Sequence, residues 1–532
     1  MKSEETIAER QLLPGQPTQR WTLVAMILCS GIVFLQTTVI NVALPALGRD
    51  LEAGLAGLQW VVDGYLLTLA ALLILGGSLG DRYGRRRIMT IGLFGFGVTS
   101  IVGGLAPTMP WLIGARLFQG VAGALLVPGS LAIIRAVYAD REARGEAIGQ
   151  WSGWSGTLTI IGPLAGGWLV DNLSWRWVFF VVVPLIVAAI WLMLAHVPES
   201  RADDAPEQLD WPGAALVTAG LGGVAYGLIE GPVIGWSTPG VLVGLIGGAA
   251  TLAIFPFVES RRREPMVPLR LFRSRNFTGA NLTTLGVYFA LQGATFFVVL
   301  YLQNVMEYSA LAAGMVLAPI SVLLLILSPF FGRFSGRYGA RLPMTVGPMV
   351  SAVGLLLFAR LRPDAAFLTD VLPAVGIFGL GLSATVAPLT DTVMSAVSDE
   401  HSGIAAAFNN VVSRVAGLLA VAGLGVVVSI SFGRVVGARI QEKSLGPAAV
   451  QAIEEVVDNP AGNFDLEGVP EEVEELVSNA YSVAFGRAMV VSAVLAATGG
   501  LASFLTIRKP RSEEDGGGPD QEAEYRGADS ND

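Results

Sequence analysis

Two charged side chains of opposite sign stand inside apolar stretches of this chain, Asp63 in WVVDGYLL and Arg116 in RLFQG. A charge held at mid-bilayer costs roughly 2.5–3.5 kcal/mol on insertion scales, so a residue kept there generally has a task. A carboxyl that gains and loses contact with a guanidinium alternately releases and binds a proton. Counted from the ends of their stretches, Asp63, Arg116 and Gln36 fall within a few residues of one depth. These positions predict proton exchange, with Asp63 as carrier and Arg116 as the charge that discharges it. A fixed Asp63 to Arg116 pair that only orients helices is the alternative.

A second group of residues suits a small organic molecule. NNVVSRVAG carries Asn409, Asn410 and Arg414, which either line a cavity or bond across helices. Phe34 and Tyr65 offer flat aromatic faces, and Gln36, Asn41 and Gln119 offer hydrogen bonds. Together these are the expected cavity lining. Trp60 lies at a similar depth, where aromatic side chains also gather at membrane interfaces.

The elements that would position them are membrane helices. The 532 residues are 53% hydrophobic and 14% charged, against about 25% charged in soluble domains. The 65 glycines would weaken soluble helices but let membrane helices approach closely. With about 20 apolar residues needed per crossing, fourteen spans are predicted near 21–45, 58–80, 88–106, 111–138, 147–170, 176–196, 213–229, 239–257, 278–304, 311–331, 343–359, 369–394, 404–430 and 483–506.

They group as six, two and six, an all-α polytopic plan. A six-helix bundle is expected at 21–198, a linker with two inserted helices at 199–258, and a second six-helix bundle at 259–507. Residues 1–20 and 508–532 are expected to be cytoplasmic tails, the latter disordered. A long outer loop is expected at 432–480, within which Pro470 and the glutamates after it start a helix.

Arginines fix the orientation. Arg82, Arg85, Arg86 and Arg87, then Arg135, Arg141 and Arg144, the stretch 261–275, and Arg333, Arg337 and Arg341 all fall on one side, which the positive-inside rule makes cytoplasmic. The formal charge of -9 comes from acid concentrated at 442–475 and after 511, a local pattern. Cys29, the single cysteine, excludes an intramolecular disulfide. The first stretch is long enough to span and lacks a small-residue cleavage site, so it reads as a retained helix.

The stretch GGSLGDRYGRRR at 76–87 recurs as FGRFSGRYGARL at 331–342. Gly77, Arg82, Tyr83, Gly84 and Arg86 match Gly332, Arg337, Tyr338, Gly339 and Arg341 at one offset of 255. Each copy follows the second stretch of its group of six. Duplicated halves that face each other build a central site that opens to either side by rocking. Within the loop the glycines permit a tight reversal, and Asp81 can pair with an arginine or a helix N-terminus.

These residues resemble the major facilitator superfamily, and the six-two-six plan resembles its fourteen-span drug:proton antiporter branch, over roughly residues 20–507. The superfamily's loop motif is matched by Gly77, Leu79, Asp81, Arg82, Gly84, Arg85, Arg86 and Arg87. RLFQG resembles the motif whose embedded arginine, here Arg116, is tied to proton transfer. GPLAGG, with Gly162, Pro163, Gly166 and Gly167, resembles the antiporter signature, although a generic packing motif reads the same way. There Pro163 removes a backbone donor and the small residues allow close contact, which predicts a kinked interface able to seal and reopen. Leu158 stands where that signature has a further glycine.

LQTTVINVALP at 35–45 resembles a branch motif that has Asp at the position of Gln36, and glutamine cannot carry a proton. Asp63 matches a carboxylate found in a variant of the branch. The resemblance implies export of lipophilic small molecules, drugs or natural products, in exchange for protons by alternating access. It also implies a monomer in the bacterial cytoplasmic membrane. A uniporter or importer of the same fold without proton exchange is the alternative that Gln36 keeps open.

None of Lys2, Lys443 and Lys509 follows a glycine, so no phosphate loop is present and a proton gradient is the expected energy source. No cofactor or metal is expected. His196 and His401 lie at a span end and in a loop, and no HExxH or nucleophile pattern appears, so an enzyme is not expected. A sensor or structural membrane protein would not need duplicated halves. The expected partners are a small-molecule substrate, protons and the lipid bilayer, with no nucleic acid.

Overall fold

The computed structural model describes residues 17–202, 208–262, 265–397, 402–443 and 471–508. Most of each expected tail and the middle of the 432–480 loop, Pro470 included, lie outside them. Among the described residues the chain is helical with no strand, as backbone in hydrocarbon must be when each segment has to satisfy its own polar groups.

The first six long segments are α1 (Pro17–Asp50), α2 (Leu55–Tyr83), α3 (Arg85–Gly104), α4 (Met109–Val137), α5 (Arg141–Asn172) and α6 (Trp177–His196). Two more follow, α7 (Trp211–Ile234) and α8 (Pro239–Glu259). The last six are α9 (Arg275–Asn304), α10 (Ala310–Tyr338), α11 (Arg341–Phe358), α12 (Phe367–Ser395), α13 (Ser402–Lys443) and α14 (Glu471–Thr506).

Thirteen of these are long and apolar enough to cross a membrane. The remaining one, α5, has 32 residues, ample length, but Glu142, Arg144, Glu146 and Gln150 make its first third polar. The 432–480 loop is shorter than expected because α13 runs on to Lys443 and α14 begins at Glu471. Phe432, Val436, Val473 and Val477 are fully buried where these extensions meet, and Phe432 packs edge-on to Tyr481.

The packing is duplicated. In the first six helices α1 lies against α5 and α6, α2 against α4, and α3 against α4 and α6. In the last six, α9 lies against α13 and α14, α10 against α12, and α11 against α12 and α14. The contacts between the two sets obey the same exchange, α5 on α10 and α13 on α2. The inserted pair is placed asymmetrically, with α7 lying on α2 and α13 and carrying α8 on its far side.

Candidate functional site

Asp63 is fully buried, and neither carboxyl oxygen has a hydrogen-bond partner. The residues one turn to either side show where it points. Gln59 donates through Nε2 to the Val421 carbonyl on α13, and Leu66 packs at Gly417 of the same helix. Trp60 donates through Nε1 to Glu230 Oε1 on α7 at 2.8 Å, and Leu67 packs at Gly222 of α7. Asp63 therefore looks into the seam between α2, α7 and α13.

Arg116 lies on the other side of α2. Its Nε donates to the Val61 carbonyl at 2.8 Å and its Nη1 to Gln119 Oε1 at 2.6 Å, while Gln119 Nε2 donates to Ser100 Oγ at 2.9 Å. The guanidinium stands 4.3 Å from the Tyr65 ring. Asp63 and Arg116 do not pair, because residues two apart on a helix face nearly opposite ways and the α4 face is the one carrying Val61 and Tyr65. Arg116 and Gln119 form a polar chain that ties α2, α3 and α4 together inside the first half.

Gln36 makes no hydrogen bond to Asp63. It shares a face of α1 with Cys29, Ile40 and Ala43, all fully buried, and both ends of its amide are unpartnered. Phe34 and Asn41, seven residues apart, share another face. Arg414 of α13 stands 5.8 Å from the Phe34 ring, and Asn41 Oδ1 is buried without a partner. Gln292 of α9 packs at Gly417 with its Nε2 unpartnered.

The other two expected lining residues act differently. Asn409 donates to Asn281 Oδ1 at 3.1 Å and to Thr284 Oγ1 at 2.6 Å, which fastens α13 to α9. Asn410 is exposed and bonds to the Ala406 carbonyl of its own helix. The centre between the halves is thus Phe34 and Asn41 from α1, Asp63 from α2, Gln292 from α9 and Arg414 from α13.

Among the described residues, the hydrogen bonds seen between the halves lie toward the end opposite the arginine-rich loops. Asp171 at the end of α5 accepts from the Ala310 and Leu311 amides at 2.9 Å each, capping α10. Gln303 Nε2 donates to the Val42 carbonyl at 3.0 Å, and the Gln59 to Val421 bond completes the set. GPLAGG sits in this closure. Gly162 and Gly166 let α5 press on Thr38 and Val39 of α1, and Gly167 leaves no room for a Cβ against Leu311. Pro163 sits within α5, which stays one continuous helix through it. Leu158, in place of the extra glycine, fills the space over Gly31 of α1, so the small residue has moved to the facing helix.

At the arginine-rich end Asp81 pairs with Arg85 at 2.7 Å, within its own half. Glu199, just past α6, accepts from the Arg86 and Arg87 amides at 3.0 and 3.2 Å and so caps α3. Gly84 has φ +109°, and Gly339 in the second copy has φ +95°. Both glycines therefore hold a backbone that L residues rarely adopt. Gly77 packs at Pro128 and Gly332 near Ala387. Arg82 and Arg337 stack on the next residue's ring, Tyr83 and Tyr338, at 5.5 Å each. Arg86 reaches the Val197 carbonyl and Arg341 the Phe504 carbonyl.

Sequence reasoning missed Gln59, Glu230, Asp171 and Glu199. Glu230 was legible in principle as a carboxyl near the end of an apolar run. The other three sit where polar residues are ordinary, and only the fold shows what they reach. A surface cavity of about 680 Å³ near Arg360, Arg362, Arg439 and Glu475 lies away from Asp63 and Arg414, at the closed end.

Comparison with known proteins agrees with this architecture. A sequence profile described as Major Facilitator Superfamily matches residues 26–421. The chain is 33% identical over 510 residues to the tetracenomycin C resistance and export protein of Streptomyces glaucescens, covering 94% of each. It is 35% identical over 414 residues to the multidrug resistance protein Stp of Mycobacterium tuberculosis, covering 77% of this chain and 76% of that one. Among solved structures, a bacterial homolog of the human lysosomal transporter Spinster, inward-facing and unoccupied, superimposes with a TM-score of 0.66. The two share 20% identity over 93% of this chain and 100% of that one.

Proposed function

This chain belongs to the Major Facilitator Superfamily, and we propose that it exports small, lipophilic organic molecules across the bacterial cytoplasmic membrane in exchange for protons. It is a multi-pass membrane transporter of small molecules and not an enzyme. Export is supported by relatives named for resistance and export that match most of its length.

The observation that carries proton coupling is the position of Asp63, a buried carboxyl with no partner, one turn from the Gln59 to Val421 bond between the halves. The arginine-rich end faces the cytoplasm by charge, so the end closed by these hydrogen bonds is the outer one. Opening outward must part α13 from α2 and break the Gln59 bond, which admits water to Asp63. A neutral carboxyl costs far less to bury than a carboxylate, so the seam closes on Asp63 with its proton. Cargo leaves outward in the step that loads the proton, and the proton leaves inward through the polar centre at Asn41, Gln292 and Arg414. Arg116, held by Val61 and Gln119, keeps α2 and α4 moving as one body.

Liposomes carrying the purified protein, an imposed pH gradient and a panel of neutral and charged lipophilic dyes test this. Gradient-driven dye movement that is lost in Asp63→Asn supports antiport with the proton on Asp63. Movement indifferent to the gradient points to facilitated diffusion, and movement driven by the gradient in Asp63→Asn places coupling elsewhere.

A further inference from the structure

Among the described residues, the guanidinium of Arg414 at the centre between the halves makes no ion pair. Arg414 projects from α13 over the Phe34 ring at 5.8 Å, and its Nε is buried without an acceptor. Arg85, Arg86, Arg176 and Arg262 each have a carboxylate partner. The Phe34 ring is thus the aromatic face beside this cation.

The remaining polar groups nearby are neutral acceptors or donors. Asn41 Oδ1 and Gln292 Nε2 are buried and unpartnered. Asp63 lies between the levels of Gly417 and Val421 on α13, and Arg414 is about one turn beyond Gly417, so the carboxyl does not neutralise the guanidinium. A planar guanidinium presents a fork of donors that matches an anionic oxygen pair and stacks well on aromatic faces. A cationic guest would meet a like charge here.

We infer that the cargo site between the halves selects planar aromatic anions, carboxylates or phenolates, with Arg414 binding the anionic oxygen and Phe34 flanking the ring. This rests on the reading of the chain as an efflux transporter and adds the charge of its preferred cargo. Exporting a monoanion against an entering proton moves two positive charges inward per cycle, so an inside-negative potential drives both legs.

The test is equilibrium binding to the full-length protein in lipid nanodiscs, with empty nanodiscs subtracted, using three probes that share a ring and differ in charge: 2-naphthoate, 2-naphthamide and 2-naphthylmethylammonium. The expected result is naphthoate binding at least tenfold tighter than the other two. Arg414→Gln should bring naphthoate down to the level of the amide without changing amide binding, and Arg414→Lys should keep part of the preference. Equal binding of the three, tighter binding of the ammonium, no binding of naphthoate, or an unchanged preference in a folded Arg414→Gln each overturns the inference. If Arg414→Gln does not fold, the order of the three probes on wild type and on Arg414→Lys decides. Gradient-driven movement of cationic dyes without naphthoate preference would sink this inference and leave export standing. Naphthoate preference without any transport would do the reverse.

Discussion

Asp171 reaches out of the first half to cap the N-terminus of α10 in the second, accepting from the Leu311 amide at 2.9 Å and from Ala310 beside it. Capping by a carboxylate satisfies free amides and meets the positive end of the helix dipole, together about 1–2 kcal/mol. That interaction exists only while the outer end is closed. Asp171→Ala should therefore shift the resting balance toward the outward-open state by roughly 5–30-fold. The readout is labelling of an introduced cysteine near Gln303 by an impermeant maleimide, in a Cys29→Ser background. Cys29 is fully buried and unpaired, so its removal leaves a quiet reference. Unchanged labelling would show that the cap does not hold the closure.

Gly84 combines two constraints that a substitution separates. Its φ of +109° disfavours any side chain, and a Cβ would fall 2.7 Å from Glu199 Cδ, into the group that caps α3. Gly84→Ala should cost about 1–3 kcal/mol from the backbone alone, with the collision added. In Glu199→Ala the collision is gone, so Gly84→Ala should be less damaging there than in wild type. Thermal unfolding of the four proteins of this double-mutant cycle measures the difference. Strict additivity would mean that Glu199 moves aside freely.

How far this site is legible in the sequence depends on what kind of fact each residue records. Gly84 and Gly339 announce a duplicated loop because a positive φ restricts residue type, and their backbones do correspond. The apolar runs show where helices are, but they stop short of the helix ends at Lys443 and Glu471, since solvent-facing turns carry no apolar requirement. Depth along a helix is countable from sequence, and facing is not when the neighbours are unknown. Asp63, Gln36 and Arg116 share a depth, yet Asp63 looks into the α7 and α13 seam, Arg116 reaches from α4 to the Val61 carbonyl, and Gln36 bonds to neither. Glu230 was overlooked because its partner Trp60, which suits the membrane interface, gave no reason to seek an acceptor 170 residues away.

Arg116 should prove structural in a way that charge alone does not replace. Its fork serves the Val61 carbonyl and Gln119 at once and lies over Tyr65. A lysine offers one point of donation and no planar face for stacking. Arg116→Lys should lose about 1–3 kcal/mol by leaving a buried acceptor unpaired, seen as a lower midpoint of thermal unfolding in detergent. Arg116→Lys with unaltered stability but abolished coupling would instead return Arg116 to the role of a moving proton-linked charge.

Asp63 sets stability against function. Two buried oxygens without donors are a standing cost to the closed seam, and the residues one turn away, Gln59 and Leu66, already pack tightly on α13. A buried polar group left unsatisfied costs about 1–3 kcal/mol, which an apolar residue of similar size avoids. Asp63→Leu should therefore unfold at a higher temperature than wild type while failing to couple dye movement to the pH gradient. The two measurements bear on different claims. Loss of coupling alone is compatible with any damaging change at the seam, whereas loss of coupling together with a gain in stability shows that the carboxyl is kept for its proton. A destabilised Asp63→Leu would mean that the carboxyl has a partner in the closed state, and the proposed site of proton loading would then be wrong.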